Sequence, residues 1–243
     1  MTEGSFFTIL DTTDSTNNYA MARIDDGSAK HGMAWFAEEQ TAGKGQRGKN
    51  WTTESGKNIA MSLVLSPEQL KIASHFHLSA AVAIGCFNFL ERYIDGETKI
   101  KWPNDLFWRD RKAGGILIEN KLQGKLWKWA VVGIGININQ TFFDRSLHHA
   151  VSLKQITGRT FNPVELAKEL QLVLMEQLSA QTDFIKILKQ YNQHLYKKNM
   201  LVTLRKGGTR FDTVIKEVSA QGKLVTVDAI EREFDFGEVD WVL

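Results

Sequence analysis

The 243-residue chain has one cysteine and three prolines. A single thiol, Cys86, cannot close an internal disulfide, so a reducing compartment is expected. Cys86 sits in Ala80-Ala81-Val82-Ala83-Ile84-Gly85-Cys86-Phe87, which reads as the inside of a buried helix. No apolar run approaches the roughly 18 residues of a membrane span. Residues 1–5 lack a basic segment ahead of an apolar one, so no secretory leader is expected and a cytoplasmic location is. The histidines (His31, His75, His77, His148, His149 and His194) form no H-E-x-x-H, and a lone cysteine makes no C-x-x-C, so zinc is not expected. Neither G-x-S-x-G nor the P-loop pattern occurs. A net charge of +2 does not mark a nucleic-acid-binding protein, and no nucleic-acid partner is expected.

What is present is an ordinary soluble composition, 43% hydrophobic and 24% charged, which suits one large domain or a medium domain with a small appendix. Residues 6–10 read as a strand. Tyr19, Ala20 and Ile24 recur at helical spacing behind Asp14 or Ser15 as N-cap. Strands are expected over 32–37, 59–65, 98–102 and 126–139, and a hairpin over 106–119. Helices are expected over 74–93, 164–178 and 184–195. From about Met200 short alternating segments follow one another, with turns at Gly207-Gly208 and Gln221-Gly222, and imply a five-stranded barrel. The expected organisation is α+β. A mixed central β-sheet with packed helices occupies residues 1–198, and a small C-terminal barrel occupies 199–243. The barrel is too small to stand comfortably alone and is expected to dock on the larger domain.

Three stretches carry candidate chemistry. Lys101-Trp102-Pro103-Asn104-Asp105 presents an amide and a carboxylate where a proline stops regular structure, and Lys112-Ala113-Gly114-Gly115 returns within a hairpin's length. Lys112 is expected to share its face with Gly114, whose bare backbone leaves room beside the ammonium. The segment Val131-Val132-Gly133-Ile134-Gly135-Ile136-Asn137-Ile138-Asn139 alternates strictly. One face is apolar; the other carries Gly133, Gly135, Asn137 and Asn139. It serves either close packing by a helix or a ligand lying flat, with Asn137 as a polar contact. The third stretch, residues 41–57, is glycine-rich, with Lys44, Arg47, Lys49 and Lys57 against Glu54. A basic loop of this length is either solvated or a clamp for phosphates. Its Gly43-Lys44-Gly45-Gln46-Arg47-Gly48 matches G-x-G-x-x-G, but Lys49-Asn50-Trp51-Thr52-Thr53 opens no helix, so a dinucleotide fold is not expected.

Together with Asp14-Ser15-Thr16-Asn17 and Gln40, these stretches resemble the biotin protein ligases, over most of the chain. The resemblance implies a class II synthetase-like catalytic fold with an SH3-like C-terminal barrel. The implied reaction has two steps. Biotin's carboxylate attacks the α-phosphate of ATP, giving biotinyl-5′-AMP and diphosphate, and a lysine of a biotin carboxyl carrier domain then takes the biotinyl group. Carried over residue by residue, the resemblance puts Ser15, Thr16, Asn17, Gln40, Gly43, Lys44, Gly45, Gln46, Lys112, Gly114, Gly115, Gly133 and Gly135 around biotin. It puts Arg47, Lys49, Trp51, Asn104, Asp105, Lys112 and Asn137 around ATP and its magnesium, with Lys112 and Arg47 catalytic. The loop in many members reads G-R-G-R-x-G; here Lys44 and Gln46 stand for both arginines, so the adenylate is expected to be held less tightly. Asp14 lies close to the first residue, leaving no room for a DNA-binding winged helix, so a ligase that is not a repressor is expected. Lipoate–protein ligase and a biotin-responsive module without turnover are the competing readings. Members can pair edge to edge through the sheet, so a homodimer is possible, with no edge identified here.

Overall fold

The computed structural model describes residues 6–242 apart from 69, 71, 73, 145, 146, 148, 181 and 182. Residues 1–5 and His148, read above for a leader and for zinc, lie outside the described residues. Strands β1 (Phe7–Thr13), β2 (Ala34–Gln40), β3 (Ile59–Leu65), β4 (Thr98–Lys101), β5 (Asp105–Trp108), β6 (Arg111–Gln123) and β7 (Leu126–Ile136) form one sheet in the order β1-β2-β3-β7-β6-β5-β4. β1 and β2 are parallel and the other neighbours antiparallel. Helices α2 (His75–Glu91), α4 (Pro163–Ala180) and α5 (Phe184–Gln193) cover one face. Into that face β7 points Val132, Ile134 and Ile136, all buried, as its alternation dictates. Ser74 caps α2 by accepting from the His77 amide at 3.1 Å. Gly85 lets α4 approach, since a Cβ there would lie 2.7 Å from Leu174 Cδ2. Cys86 is fully buried, and burial pushes its thiol up, away from reactivity.

Helix α1 (Thr16–Asp25) packs on the opposite face, over β2, β3 and β7, where Ala20 meets Trp35, Val64 and Val131. That double covering explains why every residue of β3 is buried. β1 runs to Thr13, beyond the expected 6–10, because Thr13 still pairs with Gln40. β7 stops at Ile136, short of the expected 139. Beyond it the amide of Asn137 donates to Ala113 O, that of Ile138 to Asn58 Oδ1 and that of Asn139 to Lys57 O, so the segment leaves the ladder. The unexpected α3 (Leu153–Thr157) is a short helix held by a Ser152–Gln155 capping box.

The second sheet comprises β8 (Leu201–Lys206), β9 (Thr209–Val218), β10 (Leu224–Val227), β11 (Glu231–Phe234) and β12 (Asp240–Trp241), antiparallel throughout in the order β11-β10-β9-β8-β12. Gly207 and Gly222 take positive φ (59° and 85°) at its turns. Leu204, Ile215, Val218, Leu224 and Phe234 join the main core. Asn192 of α5 exchanges two hydrogen bonds with the Val218 backbone (2.9 and 2.7 Å), and Trp102 Nε1 donates to Gly222 O at 2.9 Å. The fold is the α+β arrangement expected, with a mixed sheet, packed helices and a small second sheet.

Candidate active site

Strand register alone aligns five residues across the face that α1 leaves uncovered. Ala60 of β3 faces Gly135 of β7, Gly135 faces Gly115 of β6, Gly115 faces Asp105 of β5, and Asp105 faces Lys101 of β4. With neighbouring strands roughly 4.8 Å apart, the row is on the order of 20 Å long. All five line a cavity of about 490 Å³, walled by α1, the 41–57 loop and the second sheet. The row passes from three small residues to an acid and then a lysine.

One end of the cavity is rich in uncharged polar groups. Thr16 donates to Gln40 Oε1 from its amide (2.8 Å) and hydroxyl (3.1 Å). Ser62 Oγ lies 2.7 Å from Thr16 Oγ1 and 2.6 Å from Asn17 Oδ1, and Asn17 Nδ2 donates to Glu119 Oε2 at 2.7 Å. Ser15, buried, caps α1 without a side-chain capping bond and lines the cavity. The glycine face of β7 admits protein side chains before any ligand. An added Cβ at Gly133 would run into Asn17, and one at Gly135 into the Trp51 indole.

The other end is cationic. Lys112 Nζ pairs with Asp105 Oδ1 at 2.6 Å and stands 5.7 Å from the centre of the Trp51 ring. Lys112 does not share a face with Gly114, as alternation had implied. The β5–β6 register shifts between Leu106 and Phe107, and the extra residue, Ala113, reverses the parity. The lysine therefore lies over Gly115, whose hypothetical Cβ would be 3.4 Å from Nζ, while Gly114 turns toward Gly135 O and Ile136. Asn137, buried, donates to Lys112 O (3.3 Å) and Val151 O (3.2 Å), so its amide holds the lysine's backbone. Asn104 donates to Ile116 O at 2.8 Å, leaving its oxygen for other partners. Lys101 lies between the Phe107 and Trp241 rings, 5.3 and 5.1 Å from their centres. Burial pulls its ammonium down to about 8. Asp105 and Asp240 oppose that shift, and Lys112 and Lys49 add to it. The indole N–H groups of Trp51 and Trp241, both in the cavity wall, are buried without hydrogen-bond partners.

The 41–57 loop closes the cavity as a short hairpin. Trp51 N donates to Gly43 O (2.8 Å), Gly45 N donates to Lys49 O (2.7 Å), and Gln46–Gly48 form a single 3₁₀ turn. Lys44 pairs with Glu119 (3.5 Å), Gln46 Nε2 donates to Ile116 O (3.3 Å), and Arg47 pairs with Asp240 of the second sheet (3.6 Å). Lys44, Gly45, Gln46, Arg47, Lys49 and Trp51 line the cavity. Gly43 and Gly114 lie outside its lining. Gly43 is pressed against Trp51 O and Gln40, where its missing side chain serves loop closure. Sequence reasoning singled out the stretch beginning at Lys101 but gave that lysine no role, and it missed Arg205, Asp240 and Trp241 in the lining and Ser62 behind it. Among the described residues no group of three or more His, Cys, Asp or Glu could hold a metal, and no helix is long and apolar enough to cross a membrane.

A mixed sheet whose glycine floor joins an amide-lined end to a lysine-lined end leaves one trough with a neutral polar end and a cationic end. The chain belongs to the Biotin/lipoate A/B protein ligase family, which it matches over residues 9–137. It is similar to the bifunctional ligase/repressor BirA of Escherichia coli, with 39% identity over 137 residues, 56% of this chain and 41% of that protein. It is also similar to the biotin–[acetyl-CoA-carboxylase] ligase of Paracoccus denitrificans, with 37% identity over 164 residues, 65% of this chain and 66% of that one. The chain thus spans less than half of the first relative and just under two thirds of the second. The biotin protein ligase from Aquifex aeolicus, solved in complex with biotin and ATP, has the same fold at a TM-score of 0.81 and 24% identity, covering 96% of this chain and 97% of that one.

Proposed function

We propose that this chain activates biotin with ATP to biotinyl-5′-AMP, releasing diphosphate, and passes the biotinyl group to a lysine amine of a biotin carboxyl carrier domain. The observation that carries the reading is the cross-sheet row with Lys112 over it, which separates a polar head-group pocket from a cationic end. Ser15, Thr16, Asn17 and Gln40 line the pocket with the donors and acceptors that a ureido ring needs, and the buried Ser62 hydroxyl orients Thr16 and Asn17 from behind. A ureido ring can join this network through the lone pairs and N–H groups it leaves over, whereas an apolar dithiolane makes no use of them, which favours biotin over lipoate. Lys112 lies between the two anions and neutralises both as the carboxylate oxygen attacks α-phosphorus and the bond to diphosphate breaks. In the second step the acceptor amine attacks the acyl carbon, AMP departs and the nitrogen loses a proton. Arg47 and Lys49 close over the phosphates, Lys44, paired with Glu119 beside Asn17, closes over the head-group end, and Trp51 offers an aromatic face to the adenine. Magnesium arrives with ATP. Asp105 and the Asn104 oxygen would hold it, the remaining ligands coming from phosphate and water, and it would supply charge neutralisation of the phosphates.

The test is diphosphate release on adding biotin and MgATP, followed by transfer of labelled biotin to a carrier domain. Release with lipoate in place of biotin would move the assignment to a lipoate ligase. Biotin binding without release would reduce the chain to a binding module.

A further inference from the structure

The row across the sheet does not end at Asp105. Lys101 stands one strand further out, on the edge strand β4, and the chemistry described so far leaves it unused. Its ammonium lies between two aromatic faces; burial disfavours its charge most, Asp105 and Asp240 attract it, and Lys112 and Lys49 repel it. Beside it Trp241 offers a buried indole N–H with no partner, and Arg205, paired with Asp240 at 3.2 Å, lines the same wall. At this end of the trough Lys101, Lys112, Lys49, Arg47 and Arg205 outnumber Asp105 and Asp240, and with an unpartnered donor beside them they suit a polyanion.

The direction of the reaction says which polyanion, provided the site activates a carboxylate with ATP as proposed above. Displacement at phosphorus puts the attacking and leaving oxygens roughly in line. The polar pocket of Thr16 and Gln40 lies on the β2–β3 side of Lys112, so the leaving oxygen departs toward β5 and β4. From Gly115, beside Lys112, to Lys101 is two strand spacings, roughly 10 Å, a span suited to a diphosphate with a contact at its far end. We propose that Lys101, together with the Trp241 indole N–H, binds the diphosphate leaving group of ATP and so acts as a further catalytic residue, in the first step alone. Negative charge grows on the departing oxygens as the bond breaks, and an ammonium held in place between two rings stabilises it with little reorganisation.

Lys101→Met and Lys101→Arg in the full chain separate this role from a structural one. Three quantities are measured: diphosphate release from biotin and MgATP, transfer from added biotinyl-5′-AMP to a carrier domain, and calorimetric binding of inorganic diphosphate. Lys101→Met is expected to slow release by about a hundredfold and to weaken diphosphate binding, with transfer from the added adenylate reduced far less. Lys101→Arg is expected to restore most of both losses. Release and diphosphate affinity in Lys101→Met equal to wild type overturn the assignment, and so does an equal loss in release and transfer. Should the wild type release no diphosphate, the ligase reading fails on its own account. The calorimetric comparison then decides Lys101: binding lost in Lys101→Met supports it, and binding unchanged removes it.

Discussion

Lys112 is held at both ends. Its backbone carbonyl accepts from Asn137, and its ammonium pairs with Asp105. Because that ion pair is partly exposed, its loss should cost about 1 kcal/mol or less of stability, whereas two anions can no longer be brought together without it. Lys112→Ala is therefore expected to lower diphosphate release on the order of a thousandfold with an almost unchanged denaturation midpoint; near-normal release would remove Lys112 from the chemistry. His31 makes stability depend on pH. Its Nδ1 accepts from the Ser66 amide at 3.0 Å, and burial holds its value below the ordinary 6.5. Between the folded value and 6.5 the unfolded chain carries more protons, so stability is lost as pH falls through that window. Burial lowers His77 and His194 too. The urea midpoint should fall from about pH 7 to about pH 5.5, and His31→Asn should flatten that slope in part; an unaltered slope in the variant would contradict the account. Lys112 was marked by its surroundings, Gly114-Gly115 after it and Pro103-Asn104-Asp105 before it, not by its own identity. Sequence neighbours could not mark Ser62, a lone hydroxyl inside the apolar run Ile59-Ala60-Met61-Ser62-Leu63, because its partners on α1 lie more than 40 residues away. Lys101 carried a weaker signal: Thr98 and Ile100 take the core face of β4, so Lys99 and Lys101 must take the other.

Among the elements, β7 and the 41–57 loop depend on each other. Gly135 has no side chain because the Trp51 indole occupies that volume, and Trp51 in turn anchors the loop by bonding back to Gly43. A methyl group added at Gly135 must displace a rigid ring rather than a flexible chain end. Gly135→Ala is expected to move Trp51 off the floor and to raise the KM for ATP at least as much as that for biotin. Indole fluorescence and steady-state kinetics read the two effects, and unchanged emission together with unchanged constants would show that Trp51 does not rest there in solution. The alternation of β7 was legible because a period of two with one apolar face admits a single register. The β6 bulge was not. An inserted residue leaves no mark in composition, yet it decided which glycine faces Lys112. The ends of β6 and the short α3 were likewise hidden. The exposed Leu122 and Leu126 suggest no buried face, and five residues are too few to show a helical period.

At the scale of the whole molecule, the second sheet is a wall of the site rather than an attachment. Arg205, Phe236, Asp240 and Trp241 line the cavity, and Asp240 pairs with Arg47 of the loop, so the two sheets close the same space from opposite sides. A tail of short alternating segments could be read as a small barrel, but its position could not, because docking rests on long-range contacts: apolar residues shared with the main core and a few hydrogen bonds. The firmest polar one is Asn192, buried in α5, which satisfies both the N–H and the C=O of Val218. Asn192→Ala strands both backbone groups away from water, and one unsatisfied buried group costs about 1–3 kcal/mol. The loss falls on the joint between α5 and β9, far from the polar pocket at Thr16 and Gln40. The expected outcome is a lower denaturation midpoint and weaker ATP binding by calorimetry, with biotin binding much less affected, since only the cationic end shares the second sheet's wall. Equal weakening of both ligands would mean that the substitution disturbs the main sheet. Unchanged ATP affinity at reduced stability would mean that the wall keeps its place without this joint.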